Sequence, residues 1–132
     1  MFTLDTNTLI YYFKDIGGVT KHLLAVPPRN IFIPTIVVYE IEVGIAQSVH
    51  PEKRRAQFDT FLTLVSVLPF DKQIAKTAAS IRVKLESKGS LIGPLDTLIA
   101  GTALAHGSTL VTHNTREFSK VDGLKLADWY KK

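Results

Sequence analysis

Cysteine is absent from the 132 residues. Disulfides, thiolate zinc sites, iron–sulfur clusters and cysteine nucleophiles therefore drop out, and a reducing, cytoplasmic setting fits. Long apolar runs are absent too. The longest stretch free of Asp, Glu, Lys and Arg spans residues 97–115, and it holds His106, Gly107, Ser108, His113 and Asn114. That is too polar for the ~20 apolar residues of a membrane span. Met1-Phe2-Thr3-Leu4-Asp5 carries no basic leader and meets an acid at once, so it does not read as a signal peptide. There is no Gly-x-Ser-x-Gly elbow, no phosphate-binding Gly-x-x-x-x-Gly-Lys and no His-Glu-x-x-His, which argues against serine hydrolases, P-loop proteins and zinc peptidases. Repeats, low-complexity tracts and linkers are missing as well.

What is present is the material of one ordinary domain: 45% hydrophobic and 21% charged residues in a chain near the usual domain length. Short apolar runs alternate with longer amphipathic stretches, the pattern of strands joined by helical crossovers. Phe2-Thr3-Leu4 reads as a strand, and Leu9, Ile10 and Phe13 recur at helical spacing until Gly17-Gly18. Ile31-Phe32-Ile33 is a second strand stopped by Pro34, which opens a helix to about Gln47. After His50-Pro51, residues 52–65 set Phe58, Phe61, Leu62 and Val65 on one face, completing a helical hairpin. A strand is expected over 65–68. A long helix then starts at Asp71 and runs through Ile74, Ala78, Ile81 and Leu85 to near Gly89. Gly93-Pro94 opens another helix over 95–106. A strand over 109–112, a loop or short turn over 114–118 and an edge strand over 124–126 complete the reading.

Several carboxylates stand at places where an acid has work to do. Asp5 ends the first strand, where ligands bind in open α/β sheets, although Asp5, Thr6 or Asn7 could equally cap the following helix. Glu40 and Glu42 both lie in an apolar helix, and periodicity does not say which faces inward. Asp96 sits in a helix first turn, where the unpaired N–H groups favour a carboxylate by ~0.3 to 1 kcal/mol without any ligand. Asn114-Thr115-Arg116-Glu117 could be a capping-box variant. Gathered together, such acids would supply the hard oxygen donors that Mg²⁺ or Mn²⁺ requires.

In combination, four segments resemble the PIN-domain nucleases, and most closely the VapC-type toxins of bacterial toxin–antitoxin pairs. They are Leu4-Asp5-Thr6-Asn7, Tyr39-Glu40-Ile41 with Gly44 four residues past the acid, the run from Ile92 through Asp96 to Ala100, and the run from Leu110 through Asn114 and Glu117 to Phe118. They occur in the family's order over nearly the whole chain. The resemblance implies a single PIN domain over residues 1–132, a three-layer α/β/α fold with a central, mostly parallel sheet and a helical hairpin. It selects Glu40 over Glu42, and implies Asp5, Glu40, Asp96 and Glu117 as catalytic metal ligands for Mg²⁺, with Mn²⁺ as a substitute. The family often has Asp where this chain has Glu117. Thr6, Thr112 and Asn114 match its polar supports.

The same resemblance implies an RNA substrate cut by a water acidified at the metal, a homodimer, a VapB-like antitoxin, and promoter DNA bound only through the antitoxin complex. It does not choose among transfer, ribosomal and messenger RNA. With the four acids set aside, eight acidic face sixteen basic side chains, a surplus of +8 open to a polyanion. Candidates are Arg29, Lys53, Arg54, Arg55, Lys72, Lys76, Arg82, Lys84, Lys88 and Arg116. His113 reads as a loop or substrate-side residue, since a metal-free ribonuclease of the two-histidine kind would need a partner for it. Two rival readings remain. Asp5-Thr6-Asn7-Thr8 approximates the Asp-x-Asp-x-Thr of haloacid-dehalogenase phosphatases, with an amide where that chemistry needs an acid. A non-catalytic PIN-like scaffold for RNA or protein is the other.

Overall fold

The computed structural model describes residues 1–132. At its centre β1 (Phe2–Leu4) pairs with β2 (Ile31–Pro34) on one side and β4 (Thr109–Val111) on the other, and β3 (Ser66–Leu68) and β5 (Leu126–Ala127) form the edges. The order is β3-β2-β1-β4-β5 and every pairing is parallel. Successive strand residues point to opposite faces, yet Thr3 and Leu4 in β1, and Leu110 and Val111 in β4, are all fully buried or nearly so. Both faces are therefore covered, and the sheet is the middle of three layers. The buried Thr3 hydroxyl donates to Ser108 Oγ at 2.8 Å, and Ser108 donates to Met1 O at 3.2 Å, so the polar pair inside the sheet is satisfied.

Seven helices link the strands: α1 (Thr6–Lys14), α2 (Val19–Leu24), α3 (Thr35–Ala46), α4 (Pro51–Leu62), α5 (Lys72–Ser87), α6 (Pro94–Ala105) and α7 (Thr115–Phe118). Their starts follow local chemistry. Asp5 and Asp71 cap α1 and α5 by accepting from Thr8 N at 2.9 Å and Ile74 N at 3.0 Å, and prolines open α4 and α6. The hairpin of α3 and α4 is present. Three expectations need correcting. Residues 114–118 hold the one-turn helix α7. The last strand pairs at Leu126–Ala127 rather than over 124–126. Helix α2 was not anticipated, because its six residues bury only Val19 and Leu23, too few to show a period.

Two glycines are demanded by packing. Gly17 has φ 68°, and a Cβ there would lie 2.8 Å from Tyr130 O; the neighbouring Gly18 N donates to that carbonyl at 2.9 Å. The C-terminal segment is thus seated on the Gly17-Gly18 break. Gly101 lets α6 lie directly on α5, since a Cβ there would stand 2.7 Å from Ala78 Cβ and 2.9 Å from Ala78 Cα. The obstacle is backbone and cannot swing aside. Gly101→Ala is accordingly expected to destabilise the protein by about 1–3 kcal/mol, measured by urea unfolding; an unchanged midpoint would mean that α5 and α6 separate freely.

The chain fills the β2 and β3 side of the sheet first and then returns to build β4 and β5 on the other side of β1. The crossovers diverge between β1 and β4, which opens a crevice outside the carboxyl ends of those two strands. Asp5 follows β1 and Thr112 follows β4.

Candidate active site

Asp5 is both cap and site residue, which resolves the ambiguity read from sequence. Its Oδ1 caps α1, its backbone N donates to Val111 O at 3.1 Å, and only 5% of the residue is exposed. Burial pushes its carboxyl pKa up; hydrogen bonds from Thr112 and Thr8 pull it down, and the nearby Glu40 pushes it up again. Thr8 Oγ1 donates to Val111 O at 3.1 Å, clamping the start of α1 to the end of β4. Thr112 is buried, and its hydroxyl also accepts from Asn114 N at 3.0 Å. Thr112 thereby ties the loop after β4 to the acid that follows β1.

The two glutamates of α3 part company. Glu40 turns toward the crevice, where Thr6 donates to its Oε1 at 2.6 Å. Glu42 turns to the other arm of the hairpin and forms a bidentate pair with Arg55 of α4, which holds it below the usual carboxylate range. Glu42 is a hairpin clasp. Gly44, one turn beyond Glu40, faces open space.

Asp96 is the third residue of α6, half-buried, with its Oδ2 lying over Gly93 at 3.4 Å from where a Cβ would stand. Burial raises its pKa, and so do the charges of Asp5, Glu40 and Glu117. Three carboxylates, from the end of β1, from α3 and from α7, therefore lie within Coulombic reach of Asp96. As the side chains stand, no three of the chain's His, Asp and Glu groups are close enough to grip one ion. Glu40 is held by Thr6, and Glu117 leans toward Lys120 Nζ at 3.4 Å.

The capping-box alternative for Asn114 is not what forms. Asn114 precedes α7, but its side chain caps nothing and is exposed. Asn7 is exposed on α1 and is an amide, so the phosphatase reading has no second acid there. Of the candidate cations, Arg55 and Arg82 are engaged by Glu42 and Glu86, and Arg54 lies over the Phe13 ring at 5.0 Å.

One cluster went unread in the sequence. His113 Nδ1 lies 3.0 Å from Asp128 Oδ2, its ring stacks on Tyr130 at 4.1 Å between centroids, and Tyr11 meets both edge-on. Asp128 in turn accepts from Tyr130 N at 3.0 Å. The partner of His113 is a carboxylate, so no two-histidine pair exists there. The only available signal was an acid directly after the last strand, set among aromatics.

Comparison with known proteins places this geometry. The family model described as the PIN domain matches residues 2–124. The chain is 34% identical over 128 residues to the tRNA(fMet)-specific endonuclease VapC of Salmonella typhimurium, covering 97% of each. It is 32% identical over 139 residues to ribonuclease VapC2 of Rickettsia felis, covering 99% of each. Among solved structures, VapBC2 from Rickettsia felis, bound to a DNA fragment from their promoter, contains a chain that superposes with a TM-score of 0.90 at 32% identity, covering 97% of this chain and 98% of that one.

Proposed function

Because this chain belongs to the PIN-domain family and, within it, to the VapC ribonucleases, we propose that Asp5, Glu40, Asp96 and Glu117 together hold Mg²⁺ for the cleavage of a transfer RNA. The chain is a ribonuclease toxin of the VapBC type, and nucleases of its family depend on a divalent metal. The scaffold and phosphatase alternatives give way to that membership.

The observation carrying the site assignment is the charge on Asp96. Burial, and then carboxylates as far as 91 positions from it in sequence, raise its pKa, a costly arrangement that a divalent cation relieves. The donors are all hard oxygens, the set that suits Mg²⁺ or Mn²⁺ and not a soft metal. Glu40 and Glu117 each have three side-chain torsions through which to close on an ion, while Asp5 is fixed by its cap and by Thr112. When bound, Mg²⁺ supplies Lewis acidity toward phosphoryl oxygens and acidifies water for attack on phosphorus. The chain's own part is positional. Thr6 orients Glu40, Thr112 orients Asp5 and sets the loop carrying Asn114 toward Glu117, and the buried floor around Asp5 keeps bulk water from screening the charges. Glu117 is the most loosely held of the four and can act directly or through water.

Thr6→Val keeps the shape of the side chain and removes the donor to Glu40. We expect cleavage and Mn²⁺ affinity to fall by about 10–100-fold; unaltered Mn²⁺ titration would remove Thr6 from the site.

The substrate and partners follow from the relatives. The Salmonella enzyme is named for tRNA(fMet), which makes initiator transfer RNA the first candidate here. The neighbouring VapBC structures, some bound to DNA, support a VapB-like antitoxin and promoter contact through that complex; assembly of the toxin as a homodimer rests on the family resemblance alone. No helix is long and apolar enough to cross a membrane. Sequencing the new RNA 5′ ends after a brief induction of the protein tests the reading. A dominant cut in tRNA(fMet), absent with Asp96→Asn, is expected; cuts confined to ribosomal or messenger RNA would overturn the substrate, and no new ends would overturn the activity.

A further inference from the structure

Beside the carboxylates lies a cleft of about 280 Å³ between α5 and the turn after α7. Its rim is cationic. Lys76, Lys84 and Lys88 line it from α5 and Lys120 from the opposite wall, over a floor that includes Ile81 and Leu85. Residues 76, 80, 84 and 88 recur every fourth position, so they form one stripe along the helix, about 18 Å long at 1.5 Å per residue. Ser80 fills the gap between the lysines with a hydroxyl.

Fold stability does not account for this stripe. Lys88 has Asp122 at 3.4 Å in an exposed pair, and Lys120 has Glu117 at 3.4 Å in a half-buried one; single surface pairs of this length contribute little. Lys76 and Lys84 are exposed and have no acidic partner within the chain. Like charges in neighbouring turns weaken a helix slightly. Their ammonium groups are left for an anion from outside. Lys120 links the two regions, because the same side chain lines the cleft and reaches the Glu117 carboxylate. An extended polyanion leaving the carboxylate crevice past Glu117 thus meets Lys120 first and the α5 stripe next.

We propose that this cleft is a track for the RNA backbone, in which Lys120 and then Lys88, Lys84 and Lys76, in their order along the stripe, engage phosphates flanking the bond that is cut. The track rests on the ribonuclease reading and deepens it. An open groove with ammonium groups spread over about 18 Å suits a repeating phosphate chain better than one compact anion, and the absence of exposed aromatics along it makes the contact independent of base identity.

The test measures binding of a fluorescein-labelled 20-nucleotide single-stranded RNA of mixed sequence to the full-length protein carrying Asp96→Asn, so that nothing is cut. Adding Lys76→Glu and Lys84→Glu is expected to raise Kd at least about tenfold at 0.1 M salt, and to reduce the slope of log K against log salt by about 1.4, which is two contacts at ~0.7 each. Lys14→Glu with Lys21→Glu makes the same change of net charge on other helices, α1 and α2, and is expected to move Kd less than about threefold. Lys76→Gln with Lys84→Gln, which introduces no new repulsion, should lie between. Equal losses from the two glutamate pairs would reduce the effect to net charge, and an unchanged Kd in both stripe variants would overturn the track. In either case cleavage by the parent protein would leave the ribonuclease reading standing, whereas a parent that neither binds nor cuts RNA would sink both.

Discussion

Asp96→Asn is expected to lower RNA cleavage by at least about 10³-fold and, in the absence of divalent metal, to raise the thermal midpoint at neutral pH. The first effect follows because the amide cannot offer a charged oxygen to the cation, whose stabilisation of the transition state is worth several kcal/mol at ~1.4 kcal/mol per factor of ten. The second follows from where Asp96 sits. Burial, then the charges of Asp5, Glu40 and Glu117, raise its pKa in the folded protein. The native state therefore keeps a proton that the unfolded chain has already released, and stability is lost as pH rises from the unfolded value of 3.8 through the folded one. Asparagine removes that penalty. Its stabilising effect should be absent below the unfolded pKa and full above the folded one. Thermal melts of both proteins in chelator across that window check it, and equal midpoints at neutral pH would mean that neither burial nor the neighbouring carboxylates penalise an ionised Asp96.

Asp5 separates two roles that share one side chain. Asp5→Asn and Asp5→Ala should both abolish cleavage, because neither carries the buried charge. Their stabilities should differ. Asparagine can still accept from Thr8 N and cap α1, whereas alanine leaves that N–H without its acceptor. The alanine variant is expected to be less stable than the asparagine variant by about 1 kcal/mol, read from urea midpoints. Asparagine is thus the cleaner probe of chemistry, and an Asp5→Asn protein that cuts RNA at the parent rate would remove Asp5 from the metal site.

Much of the architecture was legible along the chain. Asp71 and Pro94 announce their helices through groups only three or four residues away, and the apolar runs at β1, β2 and β4 are as buried as their composition suggests. Helix α2 was invisible because two buried residues carry no period, and α7 because a single turn has none either. Within the site, Asp5 could be read as cap or ligand, and the structure makes it a buried cap that also takes a hydrogen bond from Thr112. Periodicity left Glu40 and Glu42 tied. Thr6 from one side and Arg55 from the other break the tie, and they stand 34 and 13 positions from their glutamates, beyond the reach of helical periodicity.

The sequence by itself determined the alternation of strands and helices, the capping groups, the family motifs and the excess of positive charge, since each acts within a few positions or sums over all of them. Only the tertiary structure decided that the charges of Asp5, Glu40 and Glu117 reach Asp96, that His113 answers to Asp128, and that Lys120 faces the α5 lysines across one cleft. The reason is the sheet order: β1 lies between β2 and β4, so residues as far as 112 positions apart are brought to one end of two neighbouring strands. Repulsion or attraction between them depends on that juxtaposition, and no local rule encodes it.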